Sequence, residues 1–187
     1  MRGLRITPVT TDTWETFCRL FEAKGGPHYC WCTSYRARSA AKLTAAERKA
    51  FMRSAVDSGV PVGVIACIGD EPVGWCSVAP RETYVRLERS RTMPRATPPA
   101  TSTWTILCFF VARPYRNRHV AQALLEGAVA YARRQGAEVV EGYPFDTAGV
   151  SSTHRGHSTL FESARFQKDG KRSFRRLGRP PPAPPVE

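Results

Sequence analysis

The stretch from Trp104 to Val111 is almost wholly apolar, and after the turn Arg113-Pro114-Tyr115 it gives way to a helical pattern that lasts to Gly136. A short run with no polar alternation predicts a strand buried on both faces, here over residues 103–112. Val120, Ala121, Leu124, Leu125, Ala128, Val129 and Ala132 then fall on one stripe, which predicts a helix over about 117–135 with Gly136 as its stop. A buried strand feeding an amphipathic helix needs a sheet to lie in and a face to cover. The chain is therefore constrained to a mixed α and β fold.

The flanking sequence agrees. Residues 2–9 suit a short strand, and Asp12 with Glu15 suits a helix start. Trp14, Phe17, Cys18 and Phe21 make that helix apolar on one side until Gly25-Gly26-Pro27. Thr44-Ala45-Ala46-Glu47 has the form of a capping box for a second helix, closed by Ser58-Gly59. Residues 62–68 and 73–78 read as a hairpin around Gly69-Asp70-Glu71-Pro72. Residues 80–102, rich in proline and arginine, read as a long irregular connection. A strand at 138–143, a short helix at 160–164 and a final strand within 166–177 complete a predicted domain over 1–177. The Arg-Pro-rich segment 178–187 is expected to be a disordered tail.

The length of 187 residues suits one core-bearing domain. No apolar run approaches the roughly 20 residues of a membrane-spanning helix, so no membrane partner is expected. The N-terminus lacks the apolar segment of a signal peptide, and the six cysteines mostly sit in apolar runs. Both features point to a reducing, cytoplasmic setting. With 28 Lys and Arg against 16 Asp and Glu, the formal charge of +12 favours anionic ligands without choosing among nucleic acid, membrane and small phosphates. His28 with Cys30-Trp31-Cys32 lacks the usual Cys-x₂₋₄-Cys spacing, so no metal is expected.

Between the buried strand and the apolar stripe lies Arg116-Asn117-Arg118-His119-Val120-Ala121. A helix start exposes unpaired N–H groups and the positive end of the dipole, and a diphosphate is a natural guest there. The same pattern also fits an ordinary crossover whose arginines are merely solvated. Residues 109–125 resemble the acetyl-CoA motif of the GNAT acetyltransferases, Gln/Arg-x-x-Gly-x-Gly/Ala after a strand. Arg116 matches its first position and Ala121 its last. Leu160-Phe161-Glu162-Ser163-Ala164-Arg165-Phe166 is similar to the family's later Tyr-x-x-x-Gly-Phe segment.

The resemblance implies the GNAT fold, an α+β arrangement with a central, mostly antiparallel twisted sheet flanked by helices. It implies acetyl-CoA as cofactor, direct attack by an amine, and room for a homodimer. The pantetheine arm would lie on backbone groups of Phe110 and Val111, the diphosphate on the N–H groups of 116–121, and Ser158 and Phe161 near the thiol end. The sequence departs from the pattern at His119 and Arg165, which replace glycines, and at Phe161, which replaces the tyrosine that reprotonates the thiolate. His119 is expected in the helix's first turn, where glycine is not required. Cys108, as donor or nucleophile or else simply a buried hydrophobe within Leu-Cys-Phe-Phe, and Glu141 and Tyr143, as base and acid on the neighbouring strand, are the candidate catalytic groups. Trp31, Tyr35, Arg36, Trp75 and Tyr84 are expected around the acceptor, or as core in the case of the tryptophans. The acceptor expected is a small-molecule amine. An RNA-linked acetyltransferase acting on aminoacyl-tRNA, and a binding module that has lost catalysis, stay open beside it.

Overall fold

Strand propensity and helical periodicity are met along most of the chain in the computed structural model, which describes residues 3–38, 40–88, 90–146 and 153–178. Apart from Gly178, the expected proline-rich tail lies outside the described residues. The strands are β1 (Leu4–Pro8), β2 (Val64–Ile68), β3 (Glu71–Pro80), β4 (Thr103–Val111), β5 (Val139–Gly142), β6 (Gln167–Asp169) and β7 (Arg172–Arg176). They form one sheet in the order β1-β2-β3-β4-β5-β7-β6. Every neighbouring pair is antiparallel except β4 and β5. A parallel pair needs a crossover. That crossover is α3 (Val120–Arg134); the other helices are α1 (Trp14–Glu22), α2 (Ala45–Asp57) and α4 (Ser158–Ser163).

Helix α3 buries the predicted stripe, Val120, Leu124, Leu125, Ala128, Val129 and Ala132, against one face of the sheet. It lies so close to β1 that a Cβ on Gly127 would meet Ile6 at 2.4 Å. The opposite face carries α1 and α2 over an aromatic cluster. Phe21 stacks on Trp31 at 5.0 Å and meets Trp75 edge-on at 5.2 Å. Such pairs add about 0.5–1.5 kcal/mol each beyond their buried area.

The capping box of α2 is present: the Thr44 hydroxyl accepts from the Glu47 N–H at 3.3 Å, and the Glu47 carboxylate accepts from the Thr44 N–H at 2.7 Å. Three local expectations change. The N-cap of α1 is Thr13 rather than Asp12. Helix α3 begins at Val120 instead of Asn117, because Asn117 (φ 58°) and His119 (φ 59°) are left-handed. The final strand is a hairpin of β6 and β7, with Gly170 at φ 59° opening its two-residue loop.

The long connection after β3 is tied down by a buried ionic network. Glu141 on β5 is fully buried and accepts from Arg81, from Thr105 Oγ1 at 3.0 Å and from the Ala96 N–H at 2.7 Å. Arg81 also donates to Leu87 O at 3.2 Å and Met93 O at 3.0 Å. The Tyr143 hydroxyl, 2.6 Å from Arg81 Nη1, donates to Pro94 O at 2.7 Å. One carboxylate thereby fixes points along residues 87–96 to the sheet.

Removing one partner from a buried pair leaves an uncompensated charge, so Glu141→Gln is expected to lower stability by about 3–5 kcal/mol, read by urea denaturation at neutral pH. A second expectation concerns alkali. Burial pushes the Cys76 thiol and Tyr143 phenol upward and carries Tyr84 to about 12. Unfolding returns these groups to about 8.5 and 10, so the unfolded chain sheds protons first. The stabilisation is whole below about pH 8 and is lost as pH climbs toward the folded values. Melting temperature should fall progressively between pH 9 and pH 11, as followed by circular dichroism.

Candidate active site

Strand β4 pairs with β5 only from Thr103 opposite Val139 to Ile106 opposite Gly142, then runs on alone beside β3. The ladder with β3 shifts between Ile106 and Cys108, so Leu107 is a bulge that redirects the rest of the strand. Beyond it the polar groups alternate. The Ala112 N–H bonds to Val73 O at 2.9 Å, so Phe110 also faces β3, and Phe109 and Val111 turn their N–H and C=O groups toward the open gap. The Val111 carbonyl already accepts from Arg116 Nε at 3.1 Å. The pair with open backbone groups is thus Phe109 and Val111, where Phe110 and Val111 were expected.

The gap opens into a groove of about 740 Å³. Of the residues expected to hold a cofactor, Phe110, Val111, Arg116 and Asn117 line it, as do His119, Val120 and Ala121. Arg118, Ser158 and Phe161 do not. Arg118 is exposed, and the buried Ser158 hydroxyl donates to Asp146. Phe161 is fully buried; a Cβ on Gly142 would lie 2.4 Å from its ring, and Phe109 meets it edge-on at 6.2 Å. It is a packing residue with no proton to give.

At the foot of the groove, His119 is the N-cap of α3 and its conformation is left-handed, not helical as expected. Arg165 is left-handed too, at φ 61°. Both positions where the motif has glycine keep a glycine-like backbone without glycine, at about 1 kcal/mol or more each. No side chain caps α3, and no acidic residue occupies its first turn. Val120, Ala121 and Gln122 all line the groove, as do Arg116, His119, His154 and His157, with no carboxylate among them. Free N–H groups, a helix dipole, the Arg116 guanidinium and three imidazoles converge there, and the donor set fits a diphosphate. The open edge of β4 fits the amides of an extended arm.

On the other side of β4 lies a second cavity of about 280 Å³. Tyr35 and Tyr84, expected at the acceptor, line it together with Ser77, Cys30, Cys32 and Cys108. Pro27, Tyr29, Phe109, Phe110 and His154 belong to both cavities, which therefore meet at the splayed end of β4. Trp31 and Trp75, at 2% and 0% exposure, line neither of them and belong to the aromatic core beneath. Arg36 stands behind the cavity wall, bonded to Tyr84 OH at 3.0 Å. Cys108 Sγ is 2.7 Å from Cys32 Sγ, and Cys30 Sγ accepts from the Cys32 N–H at 3.3 Å. Hydrogen bonding to a neighbouring thiol, followed by burial, pushes Cys30 and Cys32 well up, so both are neutral at pH 7.

Glu141 and Tyr143, expected as base and acid, line neither cavity and are committed to the clamp on the long connection. Sequence reasoning placed none of His154, His157 and Tyr29 at this site. Their signal was weak: a loop histidine and a loop tyrosine with no periodicity around them. Among the described residues no group of three or more His, Cys, Asp or Glu could hold a metal ion.

The architecture is shared with solved acetyltransferases. A putative acetyltransferase from Salmonella typhimurium, solved with acetyl-CoA, superposes with a TM-score of 0.56 at 13% identity, covering 97% of this chain and 100% of that one. A phosphinothricin acetyltransferase from Sinorhizobium meliloti, also in complex with acetyl-CoA, gives 0.55 at 13% identity over 99% and 94% of the two chains. The GNAT domain of PAT from Streptomyces lividans gives 0.52 at 23% identity over 93% and 90%. At these identities the likeness is one of fold. No curated protein matches the sequence. A model of the acetyltransferase (GNAT) family matches residues 13–144, well over half of the chain, and the protein belongs to that family.

Proposed function

We propose that the chain is an N-acetyltransferase that moves an acetyl group from acetyl-CoA to the primary amine of a small molecule. The observation that carries this reading is the meeting of two cavities at Phe109 and Phe110, one built for an extended anion and the other for a compact guest. Structural neighbours solved with acetyl-CoA support the cofactor. The N–H groups of Val120, Ala121 and Gln122, with Arg116 and His119, would hold the diphosphate, and Phe109 and Val111 the pantetheine amides. When bound, acetyl-CoA supplies an activated acyl group as a thioester.

The remaining work falls to the chain's own groups. His154 lines both cavities, where its imidazole can take up a proton from an amine. Cys32 Sγ donates to Cys108 Sγ and is held above the usual thiol range, so neither it nor Phe161 is an acid for the departing thiolate, and the proton that leaves the amine is the one available to it. The small volume of the second cavity supports a small acceptor over an RNA end. Six free thiols fit a reducing, cytoplasmic setting. No described helix is long and apolar enough to cross a membrane.

The test is calorimetric titration with acetyl-CoA, followed by thiol release across a panel of amines. Ala121→Glu places a carboxylate at the helix start, and its repulsion should weaken acetyl-CoA binding by about tenfold or more. An unchanged dissociation constant would place the diphosphate elsewhere.

A further inference from the structure

We infer that the acceptor carries a carboxylate beside its amine, and that the hydroxyls of Ser77 and Tyr84, backed by Arg36, bind it. This rests on the second cavity being the acceptor site. Arg36 is 4% exposed, and among the described residues it forms no ion pair. Its guanidinium donates only to neutral oxygens: Pro61 O at 3.2 Å, Val62 O at 3.3 Å, Thr83 Oγ1 at 3.3 Å, Ser77 Oγ at 3.4 Å and Tyr84 OH at 3.0 Å. Its Nε is buried without a partner. Buried charges in folded proteins are ordinarily paired, as Arg81 is with Glu141. The fold leaves the charge of Arg36 uncompensated.

That charge reaches the cavity through two hydroxyls. Both oxygens accept from Arg36, and they lie 2.9 Å from each other. Only one of their two protons can sit between them. The other has no acceptor among the described residues, while both side chains line the cavity. The wall therefore offers an O–H donor polarised by a cation behind it, an arrangement that favours an anionic acceptor. Burial keeps Tyr84 protonated, its phenol pushed up to about 12. No Asp or Glu lines the cavity, so a second cationic group on the acceptor would find no partner there. Arg36 is a positioning residue in this scheme, acting through Tyr84 and Ser77.

The experiment compares α-amino acids with their decarboxylated amines, pair by pair, in the thiol-release assay. Wild-type protein should favour the amino acid in kcat/KM by about tenfold or more, the usual scale of a hydrogen bond to a charged group. In Tyr84→Phe that ratio should collapse through KM, while acetyl-CoA affinity by calorimetry is kept. Arg36→Lys should retain more of the ratio than Arg36→Met. Should either Arg36 variant not fold, binding of the N-acetylated amino acid to Tyr84→Phe and Ser77→Ala, read by calorimetry, decides the matter, with at least tenfold weakening expected. Equal use of both amine sets by wild type, or an unchanged ratio in Tyr84→Phe, overturns the carboxylate assignment and leaves acetyl transfer standing. Binding of acetyl-CoA without acetylation of any amine overturns both.

Discussion

The parting of β4 from β5 after Ile106 is the constraint on which the site depends. A parallel pair that continued would satisfy the edge of β4 and close the groove. Two packing facts keep it open. The bulge at Leu107 changes the direction of β4, and the Phe161 ring occupies the space beside Gly142 where a side chain on β5 would otherwise stand. Phe161 also packs edge-on against Phe109 and Phe166, so it braces the open strand against α4 and the segment after it. A residue that looks in the sequence like a lost catalytic group is, in the fold, a wedge between the parted strands.

The two buried arginines show how one chemistry serves two ends. Arg81, its own side chain 3% exposed, has its counter-charge in the fully buried Glu141, and the pair holds the long connection against the sheet. That connection carries Tyr84 into the cavity wall, where it meets Arg36, whose guanidinium lies 4.3 Å over the Tyr84 ring. The compensated charge therefore fixes the position of the group through which the uncompensated one acts. Desolvation would disfavour an unpaired buried cation unless strong local acceptors or an anionic guest offset it. The five neutral oxygens around Arg36 supply the first, and the cavity beside Ser77 and Tyr84 provides a place for the second.

Periodic features were legible in the sequence because they repeat. The apolar stripe of α3, the Thr44–Glu47 box and the strands around the hairpin each follow from spacing alone. Features that depend on a distant partner were not. Glu141 reads as a candidate base on a strand until Arg81, 60 residues away, is brought against it. Trp31 and Trp75 have the same composition whether they line a cavity or fill a core, and only the packing around Phe21 decides. The thiols of Cys32 and Cys108, 76 residues apart, meet through tertiary structure that no local pattern encodes.

The start of α3 joins these threads. Had residues 117–119 continued the helix, its free N–H groups would have emerged a turn earlier, away from the open edge of β4. Left-handed backbone at Asn117 and His119 moves the first turn to Val120, Ala121 and Gln122, beside Val111. Asparagine and histidine are among the few residues that tolerate this region, which is why no glycine marks it. Such strain persists only where the surroundings over-determine it. Here the turn is held by the Tyr115 N–H on Ala112 O at 2.9 Å, by Arg116 on Val111 O, and by the buried stripe that anchors the helix. Glycine at 119 would relieve the backbone but would remove the imidazole from the lining of the groove. In this chain backbone ease has been exchanged for a ring beside the first free N–H groups of the helix.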